Sequence, residues 1–460
     1  MGDLLLKKKF NRKAKIRVLY DAQVLEAYLC NGGRRGIFFV VYNILKELLR
    51  RPGLKVEVYA GTDYGVYLRV KKALSMGGIG ITSKIFSGDV KDFDIFLSPR
   101  HPISQGIKET GIVCYTIIHD LIPIVYPLHG EDQLFFDIIK SLTWKDHIFA
   151  ISESTKSDII RLLPQVDPHK ITQISLAASS NFYPCADGEQ NRQIRIKYGI
   201  PIDKRYLFTV SAIEPRKNLI FILRNFIKFI EKNHVDDLVF VVAGCANGAF
   251  EKFFDAEMAT LGENNKKIIK TGYVEDEDLA SLYSRAECCV FVSLYEGFGL
   301  PPLEAMQCGC PVITSNVSSL PEVVGDAGIL IDPTSDEAMV AAYEKVYYDE
   351  KLRQELSQKG IKRAKNFSWE ACVDSMIGEF KKHDFTQQKS SYIVSIPRLW
   401  KYLFKKLFKN FIFDISDRPE KTKVTIFGLE IFKIRKEKQK KTFYIFGIPI
   451  FKKNYNYIGK

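Results

Sequence analysis

The sequence has no run of about 18 or more consecutive apolar residues, so none of its segments predicts a membrane-spanning helix. A paired-cysteine framework is also missing. The nine cysteines are scattered, apart from the adjacent Cys288-Cys289 and the near pair Cys308 and Cys310. No CxxC repeat and no Cys/His cluster at zinc spacing occurs, which predicts free thiols in a reducing cytoplasm. The start, MGDLLLKKKFNRKAKIRVLY, sets a short apolar patch before its charges, the wrong order and length for a secretory leader. Most of the chain carries no net charge. Residues 1–388 hold 49 Lys or Arg and 49 Asp or Glu, whereas 389–460 hold 18 against 5, which accounts for the whole +13. The basicity therefore belongs to the tail.

What is present is alternation. With 460 residues, 46% hydrophobic and 26% charged, the chain is long enough for two globular domains and an appendage. KIRVLY, LKVEVYAG, DIFLSP, GIVCYTIIHD and HIFAIS read as buried strands separated by helical stretches. A polar segment near 183–200 interrupts the pattern and reads as a linker. The alternation then restarts with RYLFTVSAI, DLVFVVAG, KIIKTGYV, ECCVFVSL, PVITS and GILIDP. This predicts an α/β chain with two Rossmann-like domains, over 1–185 and 186–385, and a cleft facing the carboxyl ends of both sets of strands. Beyond 386 the pattern changes. Leu399, Leu403, Phe404, Leu407, Phe408 and Phe411 fall on one side of a helical wheel, opposite Lys401, Lys405, Lys406 and Lys409. That is a basic amphipathic helix suited to a membrane surface. TIFGLEIFKIRK then recurs as YIFGIPIFKKNY with a period of 19 residues, each copy a candidate hairpin.

Four constellations carry possible chemistry. In SLYEGFGLPPLEAMQCGCPVI, Glu296 precedes a glycine turn and Pro302 suits the first position of a helix, which sets Glu304 in its first turn. Free amides there favour an anion, and the two carboxylates can hold hydroxyls; the bland alternative is a capped helix with two solvated acids. In SAIEPRKN, Arg216 and Lys217 sit at a helix start, where the dipole disfavours cations, so the pair calls for an anion. His119, at the end of a strand, can donate to a sugar hydroxyl or a leaving oxygen, although a lone histidine is more often structural. The glycine loop with Gly33 and Gly36 lets backbone approach a ligand closely. Asp92-Phe93-Asp94 mimics a metal-binding DxD but reads better as a helix-to-strand turn, so no metal is expected.

With these motifs the chain resembles the retaining glycosyltransferases of the GT-B fold, specifically glycosyltransferase family 4, over about residues 15–380. EGFGLPPLEAMQCGCPVI matches that family's pair of glutamates, and EPRKN, IHDLIPIVYP and ISESTKSDI are family-like. The resemblance implies a nucleotide-sugar donor on the C-terminal domain. Glu304 would hold the ribose and Glu296 the transferred sugar. The amides of Gly297, Phe298, Gly299 and Leu300, with Arg216 and Lys217, would hold the diphosphate, and Tyr273 and Val274 the base. His119 would reach the donor from the other domain, and Gly33 and Gly36 would line the acceptor side. The family often carries Gly-Arg where this chain has Ser211-Ala212, so one arginine is missing. The implied reaction retains configuration without metal or cofactor, with GDP-mannose the favoured donor and UDP- or dTDP-sugars the alternatives. A glycan or lipid-linked acceptor and attachment of 389–460 to an anionic inner membrane surface complete the expectation, in bacterial surface polysaccharide synthesis. Two readings from other classes are a non-catalytic nucleotide-binding scaffold, disfavoured by the intact glutamates and cations, and a nucleic-acid binder, disfavoured by the coherent Phe/Leu face of the tail.

Overall fold

A computed structural model describes residues 15–26, 36–61, 64–76, 90–126, 132–244 and 249–385, and the strands of 413–454. Each predicted apolar run forms a strand. The first sheet holds β1 (Ile16–Asp21), β2 (Leu54–Tyr59), β3 (Ile95–Ser98), β4 (Val113–Ile118), β5 (His147–Ala150) and β6 (Ile171–Gln173), in the order β2-β1-β3-β4-β5-β6. The second holds β7 (Arg205–Val210), β8 (Leu238–Ala243), β9 (Ile268–Gly272), β10 (Cys288–Phe291), β11 (Val312–Ser315) and β12 (Ile329–Ile331), in the order β12-β11-β10-β7-β8-β9. Every pairing in both is parallel. Every residue of β3, β8, β10 and β11 is buried, as strands covered on both faces by helices must be.

Six helices matter for the site: α1 (Ile37–Arg50), α2 (Glu153–Leu162), α3 (Leu219–Lys232), α4 (Leu300–Gln307), α5 (Leu320–Val324) and α6 (Trp369–Phe380). In α3 the residues Ile222, Leu223, Phe226, Phe229 and Ile230 recur at helical spacing and are buried against Phe240 and Val290 of the sheet. Truncating a ring such as Phe226 to alanine in such a core costs about 3–5 kcal/mol. The stretch read as a linker contains a helix, Gly188–Lys197, whose first turn is capped by Asp187, which accepts from the Gln190 amide at 3.0 Å. Helix α6 returns to the first sheet's layer. Trp369 packs edge-on to Phe39 at 5.7 Å, Phe380 meets Tyr115 at 5.0 Å, and Arg51 pairs with Asp374 at 3.3 Å.

Both parallel sheets belong to one compact unit; the strands of 413–454 belong to another. These are β13 (Phe413–Arg418), β14 (Lys421–Ile426), β15 (Leu429–Glu437), β16 (Lys440–Ile445) and β17 (Ile448–Asn454), an antiparallel meander in sequence order. Each copy of the 19-residue repeat spans the closing end of one hairpin. Ile426 pairs with Leu429 and Ile445 with Ile448, and the register slips at Val424/Thr425 and again at Phe443/Tyr444, one period later. The amphipathic stretch 399–411 lies outside the described residues. Among the described residues no helix is long and apolar enough to cross a membrane, and the cysteines are free thiols.

Candidate active site

In each parallel sheet the strand order reverses beside a central strand, between β1 and β3 and between β7 and β10. Ligands of such sheets bind at that reversal, beyond the carboxyl ends of the strands. In the second sheet the two flanking strands are the ones followed by the predicted motifs: β7 runs into Glu214–Asn218 and β10 into Ser293–Gly299. The turns, 79 residues apart, meet. Lys217 Nζ donates to Glu296 Oε1 at 2.7 Å, and Arg216 Nη1 lies 2.9 Å from the same oxygen. Arg216 also pairs with Glu214 and donates to the Tyr295 carbonyl at 2.7 Å. Burial alone would push the Glu296 carboxyl up; Lys217 and Arg216 outweigh it and hold it below the usual carboxylate range. The anion that the two cations call for is thus first of all Glu296, with Glu214 behind it. The two cations do not stand at a helix N-terminus: Pro215–Lys217 is a single 3-10 turn, left-handed Asn218 follows at φ 60°, and α3 begins at Leu219.

Serines hold the Glu296 turn from the loop after β11. Ser318 Oγ accepts from the Glu296 amide at 2.9 Å, while Ser319 Oγ donates to the Glu296 and Phe298 carbonyls at 3.0 and 2.6 Å. Helix α4 starts at Leu300, two residues earlier than the prolines suggested, so Glu304 lies just past its first turn. Pro301 and Pro302 have no N–H, which leaves the amides of Phe298, Gly299 and Leu300 as the donors at this end. Glu304 Oε2 accepts from the buried Tyr283 hydroxyl at 3.4 Å. Gly244, at the end of β8, adopts φ 139°, and a Cβ there would lie 1.9 Å from the Ser211 carbonyl oxygen. Only glycine fits, so the SAIEPRKN turn rests directly on the backbone of the neighbouring strand end.

The first domain closes the site from above β4. His119 is buried, and its Nε2 lies 2.9 Å from the Pro99 carbonyl. A carbonyl only accepts, so Nε2 carries the proton, and Nδ1 is the acceptor nitrogen of a neutral ring. Burial lowers its pKa to about 4, against the Pro99 contact and with Arg100. With the Nε2 proton engaged by Pro99, the ring nitrogen left to meet a ligand is Nδ1, an acceptor. A Cβ on Gly297 would lie 2.3 Å from the His119 carbonyl oxygen, so the donor-side turn packs on the His119 backbone. Ser152 Oγ donates to the Gly297 carbonyl at 2.7 Å, and the Tyr295 hydroxyl donates to Asp158. Glu322 of α5 accepts from the Glu153 and Ser154 amides at 2.8 and 3.0 Å, capping α2 from the other domain.

His119, Arg216, Lys217, Glu296 and Glu304 line one cleft of about 1230 Å³, together with Gly36, Gly297, Phe298, Gly299, Leu300 and Tyr273. Val274 is buried beside it, and Gly33 lies outside the described residues. Asp94 takes no part: it pairs with Arg17 at 2.8 Å and accepts from its amide at 2.7 Å, while Asp92 ends a 3-10 turn. The sequence reading missed Gly244, Ser152, Ser318, Ser319 and Glu322. Of these, Gly244, a glycine closing an apolar strand, and Ser152, in the family-like ISESTKSDI, carried a signal in the sequence.

Residues 190–363 match the model of the glycosyl transferases group 1 family. Over 297 residues the chain is 33% identical to O-antigen chain mannosyltransferase B of Escherichia coli, covering 64% of this chain and 75% of that one. It is 30% identical over 273 residues to the serotype-specific mannosyltransferase WbdA of Escherichia coli, covering 58% of this chain and 33% of that longer protein. Among solved structures, the sucrose-phosphate synthase of Thermosynechococcus elongatus aligns with a TM-score of 0.59 at 18% identity, over 80% of this chain and 98% of that one. WaaG, a glycosyltransferase involved in lipopolysaccharide biosynthesis, aligns at 0.56 and 14%, over 80% and 100%. The two parallel six-stranded sheets are those of the GT-B fold, and the chain belongs to the group 1 glycosyl transferases.

Proposed function

We propose that this glycosyltransferase moves mannose from GDP-mannose to a glycan or lipid-linked acceptor in the synthesis of a bacterial surface polysaccharide, with retention of configuration. The observation that carries this reading is the junction of Lys217, Arg216 and Glu296 beside the amides of Phe298–Leu300. Breaking a sugar–diphosphate bond builds positive charge on the sugar and negative charge on the leaving group. A buried carboxylate shared by two cations suits both. When the diphosphate arrives, Arg216 and Lys217 can turn part of their charge to it, and Glu296 then faces the sugar hydroxyls. Glu304 takes the ribose and Tyr273 the base. His119 Nδ1 accepts from a sugar hydroxyl, and the leaving phosphate serves as the base for the incoming hydroxyl. Fixed cations and amides do this work without a metal. Mannose is favoured by the mannosyltransferase names of the relatives.

The basic tail, 389–460, holds the enzyme at an anionic inner membrane surface, where a lipid-linked acceptor is presented. The support is compositional: 18 cations against 5 anions and a coherent Phe/Leu side in 399–411. Incubation with GDP-mannose, UDP-glucose and a dTDP-sugar, each with a lipid-linked saccharide, tests the donor by the mass of the product. Flotation on anionic and neutral vesicles, with and without 389–460, tests the tail. Transfer from GDP-mannose alone and flotation on anionic vesicles alone are the expected results.

A further inference from the structure

The cleft is larger than the donor needs. Sites for one small ligand usually measure about 300–1,000 Å³, and this one has about 1230 Å³. The excess runs along α1. Residues from Gly36 to Arg50 line it, nearly the full length of a 14-residue helix and roughly 21 Å of rise. Helix α1 follows β1, so its first turn lies at the carboxyl edge of the sheet with His119, and its last turn lies farthest from the reacting centre.

The composition of that face says what fits it. Phe38 and Tyr42, one turn apart, are half-buried and near parallel, with centroids 6.4 Å apart and planes 15° apart. Phe39 beside them is held by the edge of Trp369 from α6, which also lines the cleft. The far end turns polar, with Lys46, Glu47 and Arg50 opposite Ser368 and Glu370. Trp369 lines this end through its ring, while its indole Nε1 is buried away from the cleft. A lipid tail asks for an apolar groove throughout, and a lone sugar does not span three helical turns. Aromatic faces with hydroxyl-binding groups around them match a chain of sugar rings, whose C–H faces pack on aromatics while their rims hydrogen-bond.

We propose that α1 is the binding track for an acceptor oligosaccharide, with Phe38 and Tyr42 as stacking platforms for successive sugar residues and Lys46 as a donor to their hydroxyls. The growing end sits at His119 and the older residues lie towards Arg50. The enzyme therefore selects an extended glycan over a single sugar. This rests on the mannosyl-transfer reading above, and it names the acceptor class of the same cleft.

Binding of mannose, mannotriose and mannopentaose to the full chain, measured by calorimetry with GDP present, tests it. Affinity is expected to rise about tenfold or more from mannose to mannopentaose. Phe38→Ala and Tyr42→Ala should abolish most of that gain while GDP affinity stays unchanged, and Tyr42→Phe should keep it. Equal affinity of the native chain for mannose and mannopentaose overturns the track, and that comparison needs no variant to fold. A gain preserved in both alanine variants also overturns it. If GDP binds and no saccharide does, the track fails and the donor reading stands. If mannopentaose binds with the expected gain and GDP does not bind, the donor reading fails and the track stands.

Discussion

Glu296 Oε1 is shared by Lys217 Nζ at 2.7 Å and Arg216 Nη1 at 2.9 Å, although the two segments are 79 residues apart. On the donor placement proposed above, the carboxylate competes with a diphosphate for the same cations. Glu296→Gln should therefore raise GDP affinity, by roughly tenfold or about 1.4 kcal/mol, while transfer falls about 100-fold as the sugar loses its positioning group. Lys217 left without its carboxylate, while Arg216 keeps Glu214, should destabilise the ligand-free protein by about 3 kcal/mol, and GDP should restore part of that. Calorimetry, thermal melts and initial rates read the three effects. A variant that binds GDP no better than the native chain would show that the cations do not serve the nucleotide.

The His119 ring is neutral at physiological pH. Its folded pKa of about 4 lies below the ordinary 6.5. Between those values the unfolded chain holds a proton that the folded chain does not, so stability rises with pH across that window. The lost stability at the acid end amounts to about 3 kcal/mol. His119→Gln should flatten this part of the stability curve. Transfer should show no inflection near pH 6.5 from this residue, and NMR should find the proton on Nε2. A ring titrating near 6.5 contradicts the burial of His119, and a proton found on Nδ1 contradicts the Pro99 contact.

Gly297→Ala places a methyl against the His119 carbonyl, where the gap is 2.3 Å. The donor-side turn and the first domain cannot then keep their contact. Transfer should fall about 100-fold, with GDP binding nearly intact because the groups proposed to hold it lie on the second domain. Scattering in solution should show a more open particle. Normal transfer by this variant would mean that the closeness of the two domains here is dispensable.

Glu322→Ala removes the cap that α2 receives across the cleft. A lost cap costs about 1 kcal/mol. Its signature is local: the Glu153 and Ser154 amides should exchange faster, and the KM for donor should rise more than kcat falls. Unchanged exchange at those two amides would remove Glu322 from the closing contact.

Much of this was legible in the sequence, and the exceptions share a cause. Apolar runs such as LVFVVA and CCVF marked strands because both faces of a parallel sheet are buried. The three-residue β6, Ile171–Gln173, is too short to give such a signal. The start of α4 was misread because proline is tolerated throughout the first helical turn, so Pro301-Pro302 do not fix the first residue. The glutamates and cations stood out by type, but their mutual neutralisation depends on β7 and β10 being neighbours in the sheet. Ser318, Ser319 and Glu322 are ordinary loop and helix residues until the Glu296 turn and α2 arrive beside them.

The central claim is that Glu296, Lys217 and Arg216 form the centre of a sugar transfer from a nucleotide donor. Mass analysis of the product formed from GDP-mannose and a mannose-terminated lipid-linked acceptor, by the native chain and by Glu296→Gln, tests it most directly. The account predicts one added hexose with the native chain and almost none with the variant, although the variant binds GDP. Equal product from both would contradict it.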